Sequence, residues 1–110
     1  MARDDVYQGM FRGMTRPPCV LVVDDDPAVR KLLSAVLTQA GAMVWAGPSV
    51  AEAVTALAAW PADVVIADFQ LGDETAVALL TAMDASAHRA QVIVISGIES
   101  VLVRAQVDGV

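Results

Sequence analysis

Hydrophobic positions along this chain fall into two alternating kinds: short unbroken apolar runs, and longer stretches in which apolar residues return every third or fourth position. Val20, Leu21, Val22 and Val23 form the first run, which predicts a strand covered on both faces. Asp26 and Pro27 then read as an N-cap and a first helical residue, and Val29, Leu32, Leu33, Val36, Leu37 and Ala40 continue one stripe until Gly41 ends the helix. A second strand is predicted over 43–46. Gly47 and Pro48 turn the chain, and Ser49 with Glu52 makes a capping box ahead of Val50, Val54, Leu57 and Ala58. Val64 to Ala67 make a third apolar run that stops at Asp68, and the helix after it carries Val77, Leu80 and Met83. Val92, Ile93, Val94 and Ile95 give a fourth strand, and a weaker helical segment is predicted over 99–106.

Apolar strands alternating with amphipathic helices predict an α/β fold, a doubly wound parallel sheet between helix layers. Residues 1–18 stand apart as an N-terminal arm. The Pro17-Pro18 pair marks its end, and Tyr7, Met10, Phe11 and Met14 share a helical face that Gly9 and Gly13 weaken, so a frayed tail and a docking helix are equally compatible with it.

Composition narrows the function classes. At 110 residues and 56% hydrophobic content, the chain has material for one domain and its core. No apolar run is long enough to span a bilayer. A net charge of −6 lacks the basic footprint that nucleic acid requires. Cys19, alone and inside an apolar run, reads as a small buried hydrophobe, and with no cleavable leader the expected location is the cytoplasm.

Ligand sites of open α/β sheets lie beyond the carboxyl ends of the strands. Asp24, Asp25 and Asp26 follow the first strand, Asp68 the third and Ser96 the fourth, whereas Trp45 and Ala46 end the second with nothing comparable. Asp26 is explained by helix capping, and each other aspartate alone would pass for a solvated loop carboxylate. Together, Asp24, Asp25 and Asp68 crowd like charges that a hard divalent cation relieves, and Mg2+ suits a few carboxylates with positions left for water or phosphate.

The segments Val22-Val23-Asp24-Asp25-Asp26-Pro27, Val65-Ile66-Ala67-Asp68-Phe69-Gln70-Leu71 and Val92-Ile93-Val94-Ile95-Ser96-Gly97 resemble, in order, the strand-end motifs of response-regulator receiver domains. The resemblance covers roughly residues 19–110. It implies a flavodoxin-like receiver fold with strand order 2-1-3-4, a two-component signalling role rather than an enzyme's, and a histidine kinase or phosphotransfer protein as partner. It implies further that Asp68 accepts the phosphoryl group, that Asp24, Asp25, Asp68 and the main-chain carbonyl of Gln70 hold Mg2+, and that Ser96 hydrogen-bonds the phosphoryl group.

Against the family pattern, a fifth strand, a fifth helix and the lysine on that strand are expected to be missing; the one lysine, Lys31, is expected on the first helix and reads as a solvated side chain. A lost charge-assisted hydrogen bond of about 1.5–3 kcal/mol would weaken phosphorylation without abolishing it. Without a fifth strand, the fourth is expected to be an exposed edge, hidden by a homodimer, by segment exchange or by the arm. Gly72 stands where the family commonly has proline, which suggests a looser loop. Two other functions compete: a receiver-like interaction module that is not phosphorylated, and a haloacid-dehalogenase-like phosphatase using Asp24. His88 is expected to be solvent-exposed, and Trp45 and Trp60 to pack at element ends.

Overall fold

The computed structural model describes residues 16–96 and the backbone of residues 101–106. The first apolar run forms β1, Cys19–Val23, with every residue buried, as a strand between two helix layers requires. Helix α1, Pro27–Gln39, opens on Asp26, whose carboxylate accepts the Ala28 N–H at 2.9 Å. Strand β2, Met43–Gly47, leads to α2, Val50–Ala59, capped by the Ser49 hydroxyl, which accepts the Glu52 N–H at 3.2 Å. The return leg from Glu52 reaches the Ser49 hydroxyl at 3.4 Å, so it closes on the side chain. Strand β3, Val64–Asp68, precedes two short strands, β4 at Gln70–Leu71 and β5 at Glu74–Thr75, then α3 at Ala76–Ala85 and β6 at Gln91–Ser96.

The sheet order is β2-β1-β3-β6, all parallel, which is the order 2-1-3-4 expected from the family resemblance. One face packs Leu21, Val23, Val65, Ala67, Val92 and Val94 under α2 and α3 through Ala53, Leu57, Leu79 and Met83. Each fully buried Leu or Met there contributes about 1.5–3 kcal/mol. On the other face, Val20, Val22 and Ala42 meet Leu33 and Leu37 of α1. No residue of α1 is buried, and Leu32 and Val36 of its predicted stripe are exposed.

Four expectations need correction, three in the sheet and its loops and one at His88. The segment predicted as helix over 99–106 contains a strand, β7, Val101–Gln106, antiparallel to β6 at the end of the sheet. Val101, Leu102 and Val103 fit either period over so short a run, and the unpaired backbone groups of β6 decide for the strand. The sheet is therefore mixed and five-stranded, and β6 is not an edge, which removes the ground for a homodimer through that edge. The loop after Asp68 is not loose: β4 and β5 form a hairpin whose first turn residue, Gly72, has φ +65°, a conformation that suits glycine. The side chain of Gln70 fastens the turn by donating to the carbonyls of Gly72 and Glu74 at 2.9 and 3.3 Å.

Cys19 is buried, as expected. Trp45 and Trp60 are partly buried against the main core. His88 is half-buried rather than solvent-exposed, because its Nδ1 accepts the Ala90 N–H at 3.3 Å in the turn into β6. The apolar positions of the arm, Tyr7, Met10, Phe11 and Met14, lie outside the described residues. Its last part is described: Arg16 forms a two-pronged pair with Asp63 at 2.9 and 3.0 Å.

Candidate functional site

Parallel pairing in register brings the carboxyl ends of β1, β3 and β6 to one rim. Val23 pairs with Ala67, and Asp68 pairs with Ile95, so Asp24, Asp68 and Ser96 follow at the same level. Phe69 continues the ladder, its N–H donating to the Ile95 carbonyl at 2.8 Å. One carboxylate oxygen from each of Asp24, Asp25 and Asp68 lies within 4.8 Å of the other two. Ser96 ends β6 beside this trio, and Gln70 stands two residues beyond Asp68 as the first residue of β4.

The three carboxylates have different surroundings. Asp24 is 6% exposed, and its Oδ1 accepts the Asp26 N–H at 2.9 Å. Burial pushes its pKa above the ordinary carboxyl value; the Asp26 N–H works against that shift, while the charges of Asp68, Asp25 and Asp26 add to it. Asp25 is exposed, and its Oδ2 accepts the Gly72 N–H at 3.0 Å across the rim. Asp68 is half-buried, and among the described residues no hydrogen-bond donor engages its side chain.

The donor set fits a hard cation. All three side chains offer oxygen, which Mg2+ prefers, and two oxygens bound to one Mg2+ at about 2.1 Å stand at most about 4.2 Å apart. A trio whose ligand atoms lie within 4.8 Å of one another reaches that span by small side-chain adjustments. Burial is the main cause of the raised Asp24 pKa, and the neighbouring carboxylate charges add to it.

Two contacts here escaped the sequence reading. The Arg30 guanidinium, one turn into α1, donates to the Asp24 main-chain carbonyl at 2.6 Å and holds the β1–α1 junction. The Gly72 N–H is the other. The only signal for either was position: a basic residue six places past an acidic strand end, and a glycine where proline is common. Lys31, by contrast, is exposed on α1, as expected.

The sequence profile of the response regulator receiver domain matches residues 20–108. The chain belongs to the response regulator receiver domain family. Among solved structures, this receiver domain is similar to the N-terminal domain of an uncharacterized protein from Wolinella succinogenes, at 26% identity and TM-score 0.68 over 74% of this chain and 65% of that one. It is also similar to the MaeR response regulator bound to beryllium trifluoride, at 26% identity and TM-score 0.66 over 73% of this chain and 67% of that one. The chemotaxis response regulator CheY4 of Vibrio cholerae, at 23% identity and TM-score 0.68 over 72% and 68% of the two chains, shares the fold. The chain spans 54% and 65% of the length of the first two solved chains it matches. No curated protein matches it. Receiver domains are signalling domains of two-component systems rather than classical enzymes. Among the described residues, no helix is long and apolar enough to cross a membrane.

Proposed function

We propose that this receiver domain, residues 19–110 preceded by an arm over 1–18, accepts a phosphoryl group on Asp68 from a histidine kinase or phosphotransfer protein in the cytoplasm. The observation that carries the reading is the convergence of Asp24, Asp25 and Asp68 at one strand-end rim, with Asp68 the member to which no hydrogen-bond donor is seen among the described residues. An Asp68 oxygen attacks phosphorus, the bond from phosphorus to the donor's imidazole nitrogen breaks, and its electron pair returns to the ring, leaving an acyl phosphate. Asp24, Asp25, Asp68 and the Gln70 carbonyl would hold Mg2+, which neutralises charge on the transferring group. Ser96 is assigned the hydrogen bond to the phosphoryl oxygens, and Asp24, fixed by the Asp26 N–H and by Arg30 on its carbonyl, keeps the rim in shape.

The test is mass spectrometry of the chain incubated with acetyl phosphate and Mg2+. One added phosphoryl group is expected, absent from Asp68→Asn and from samples with excess chelator. Beryllium fluoride, which MaeR binds in its trifluoride form, is expected to bind with Mg2+ and to fail with Asp68→Asn. A phosphatase using Asp24 is disfavoured, because that carboxylate is nearly sealed and one of its oxygens is engaged. The exposed position of Lys31 favours the second reading, an interaction module without phosphorylation. An unmodified wild-type chain in the same experiment would establish it.

A further inference from the structure

Gly72 supplies something the family's usual residue at that place cannot. A proline has no N–H, whereas the Gly72 N–H donates to Asp25 Oδ2 at 3.0 Å over a sequence separation of 47 residues. Three features fix that donor. Gly72 is the first turn residue of a hairpin closed by the pairs Gln70–Thr75 and Leu71–Glu74. Its φ of +65° suits glycine, and the Gln70 side chain clamps the carbonyls on either side of the turn. Asp25 is exposed, and among the described residues this is the only hydrogen bond to its carboxylate.

We propose that Gly72 is a positioning residue for the cation site: its main-chain N–H holds Asp25 Oδ2 and leaves the other oxygen aimed at the ion. The inference rests on the Mg2+ reading given above. A carboxylate ligand with a fixed outer hydrogen bond binds its metal more tightly, and loss of such partners typically weakens metal affinity about 10–100-fold. Gly72→Pro deletes the donor but, with φ fixed at about −65°, also disturbs the +65° turn, so a second variant that perturbs the same turn is its control. Gln70→Ala loosens the clamp and keeps the N–H.

Calorimetric titration of the full chain with Mg2+ is the test, run on the wild type, Asp25→Ala, Gly72→Pro and Gln70→Ala, with near-ultraviolet circular dichroism as the check on folding. Wild-type binding, its loss in Asp25→Ala, a weakening of about tenfold or more in Gly72→Pro and a change of less than about threefold in Gln70→Ala are expected. No binding by the wild type, or full binding by Asp25→Ala, overturns the metal reading itself. Wild-type affinity in Gly72→Pro, or an equal loss in Gln70→Ala, overturns the positioning role and leaves the metal reading standing. Should Gly72→Pro not fold, amide exchange on the wild type decides: the Gly72 amide is expected to be protected, and to lose protection in Asp25→Ala. An unprotected wild-type amide overturns the proposal.

Discussion

Ala87 sits at φ 57°, in the left-handed region where a Cβ meets the neighbouring carbonyl. It is there because α3 ends in a Schellman turn: the Ala87 N–H donates to the Asp84 carbonyl at 3.1 Å and the His88 N–H to the Met83 carbonyl at 2.9 Å. Glycine satisfies the same bonds without the clash, so Ala87→Gly is expected to stabilise the domain by about 1 kcal/mol in urea unfolding. Asp24 calls for the opposite treatment, since its cost is charge rather than shape. Its folded pKa is raised, so the penalty for ionising it is absent below the ordinary carboxyl value of 3.8, grows as pH rises and is complete above the folded pKa. Above that folded pKa the metal-free chain bears the penalty in full. Asp24→Asn keeps an acceptor for the Asp26 N–H and removes the charge. It is expected to raise metal-free stability by on the order of 1 kcal/mol, the size of a typical point substitution. The wild type is expected to gain about 2.7 kcal/mol from Mg2+ at a hundred times its Kd, and Asp24→Asn much less. Thermal unfolding of both forms with and without Mg2+ measures this, and a less stable metal-free variant would count against the buried charge of Asp24 as the dominant cost.

At the scale of elements, the amino-terminal ends of β1, β3 and β6 are tied by one carboxylate and its own backbone. Asp63 Oδ2 accepts the Cys19 N–H at 2.8 Å, its N–H donates to the Cys19 carbonyl at 2.7 Å, and its carbonyl accepts the Gln91 N–H at 3.1 Å. Burial raises the Asp63 pKa, but the Arg16 hydrogen bond, the Cys19 N–H and the Arg16 charge outweigh it, so the folded value lies below 3.8. The stability Asp63 contributes is therefore fully present above 3.8 and lost as pH falls through the folded value. Asp63→Ala strands the Cys19 N–H and is expected to cost about 1–3 kcal/mol at neutral pH, a gap that narrows as acid protonates the wild-type carboxyl. Arg16→Ala is expected to cost much less than Asp63→Ala, because solvent screens its exposed side chain. A gap between wild type and Asp63→Ala that stays constant down to strong acid would rule out this account. None of the clamp was legible in the sequence, where Asp63 merely precedes an apolar run. The strands β1, β3 and β6 were legible because each is a fully apolar run closed by a polar residue. The aspartate rim was legible for the same reason, since strand ends in such sheets share an edge. The hairpin of β4 and β5 was not: it rests on the positive φ of Gly72 and the clamp of Gln70, which no periodicity reports.

For the whole molecule, the two faces of the sheet are unequally covered. Leu21, Val65 and Val92 are sealed beneath α2 and α3, whereas Val64 and Ile66 on the opposite face are only partly buried against α1. Leu32 and Val36 of α1 add exposed apolar surface. Apolar surface of this kind makes an open strand edge more hazardous, because a second chain that pairs with the edge also covers the face. Strand β7 covers the β6 edge by pairing with it along its length, from Gln91 with Gln106 to Ser96 with Val101, and itself becomes the end strand of the sheet. The position opposite Val94 is Val103, in the middle of that ladder. A proline there breaks the antiparallel strand at its centre and releases the β6 edge. Val103→Pro is therefore expected to form larger species than the wild type in sedimentation at equal micromolar concentration, and to lose exchange protection at the β6 amides that face β7. Identical sedimentation and unchanged β6 protection would mean that the β6 edge does not depend on β7 for its cover. Faster exchange with unchanged sedimentation would instead show that the edge opens without recruiting a second chain, so that the half-covered face, rather than the edge, limits self-association.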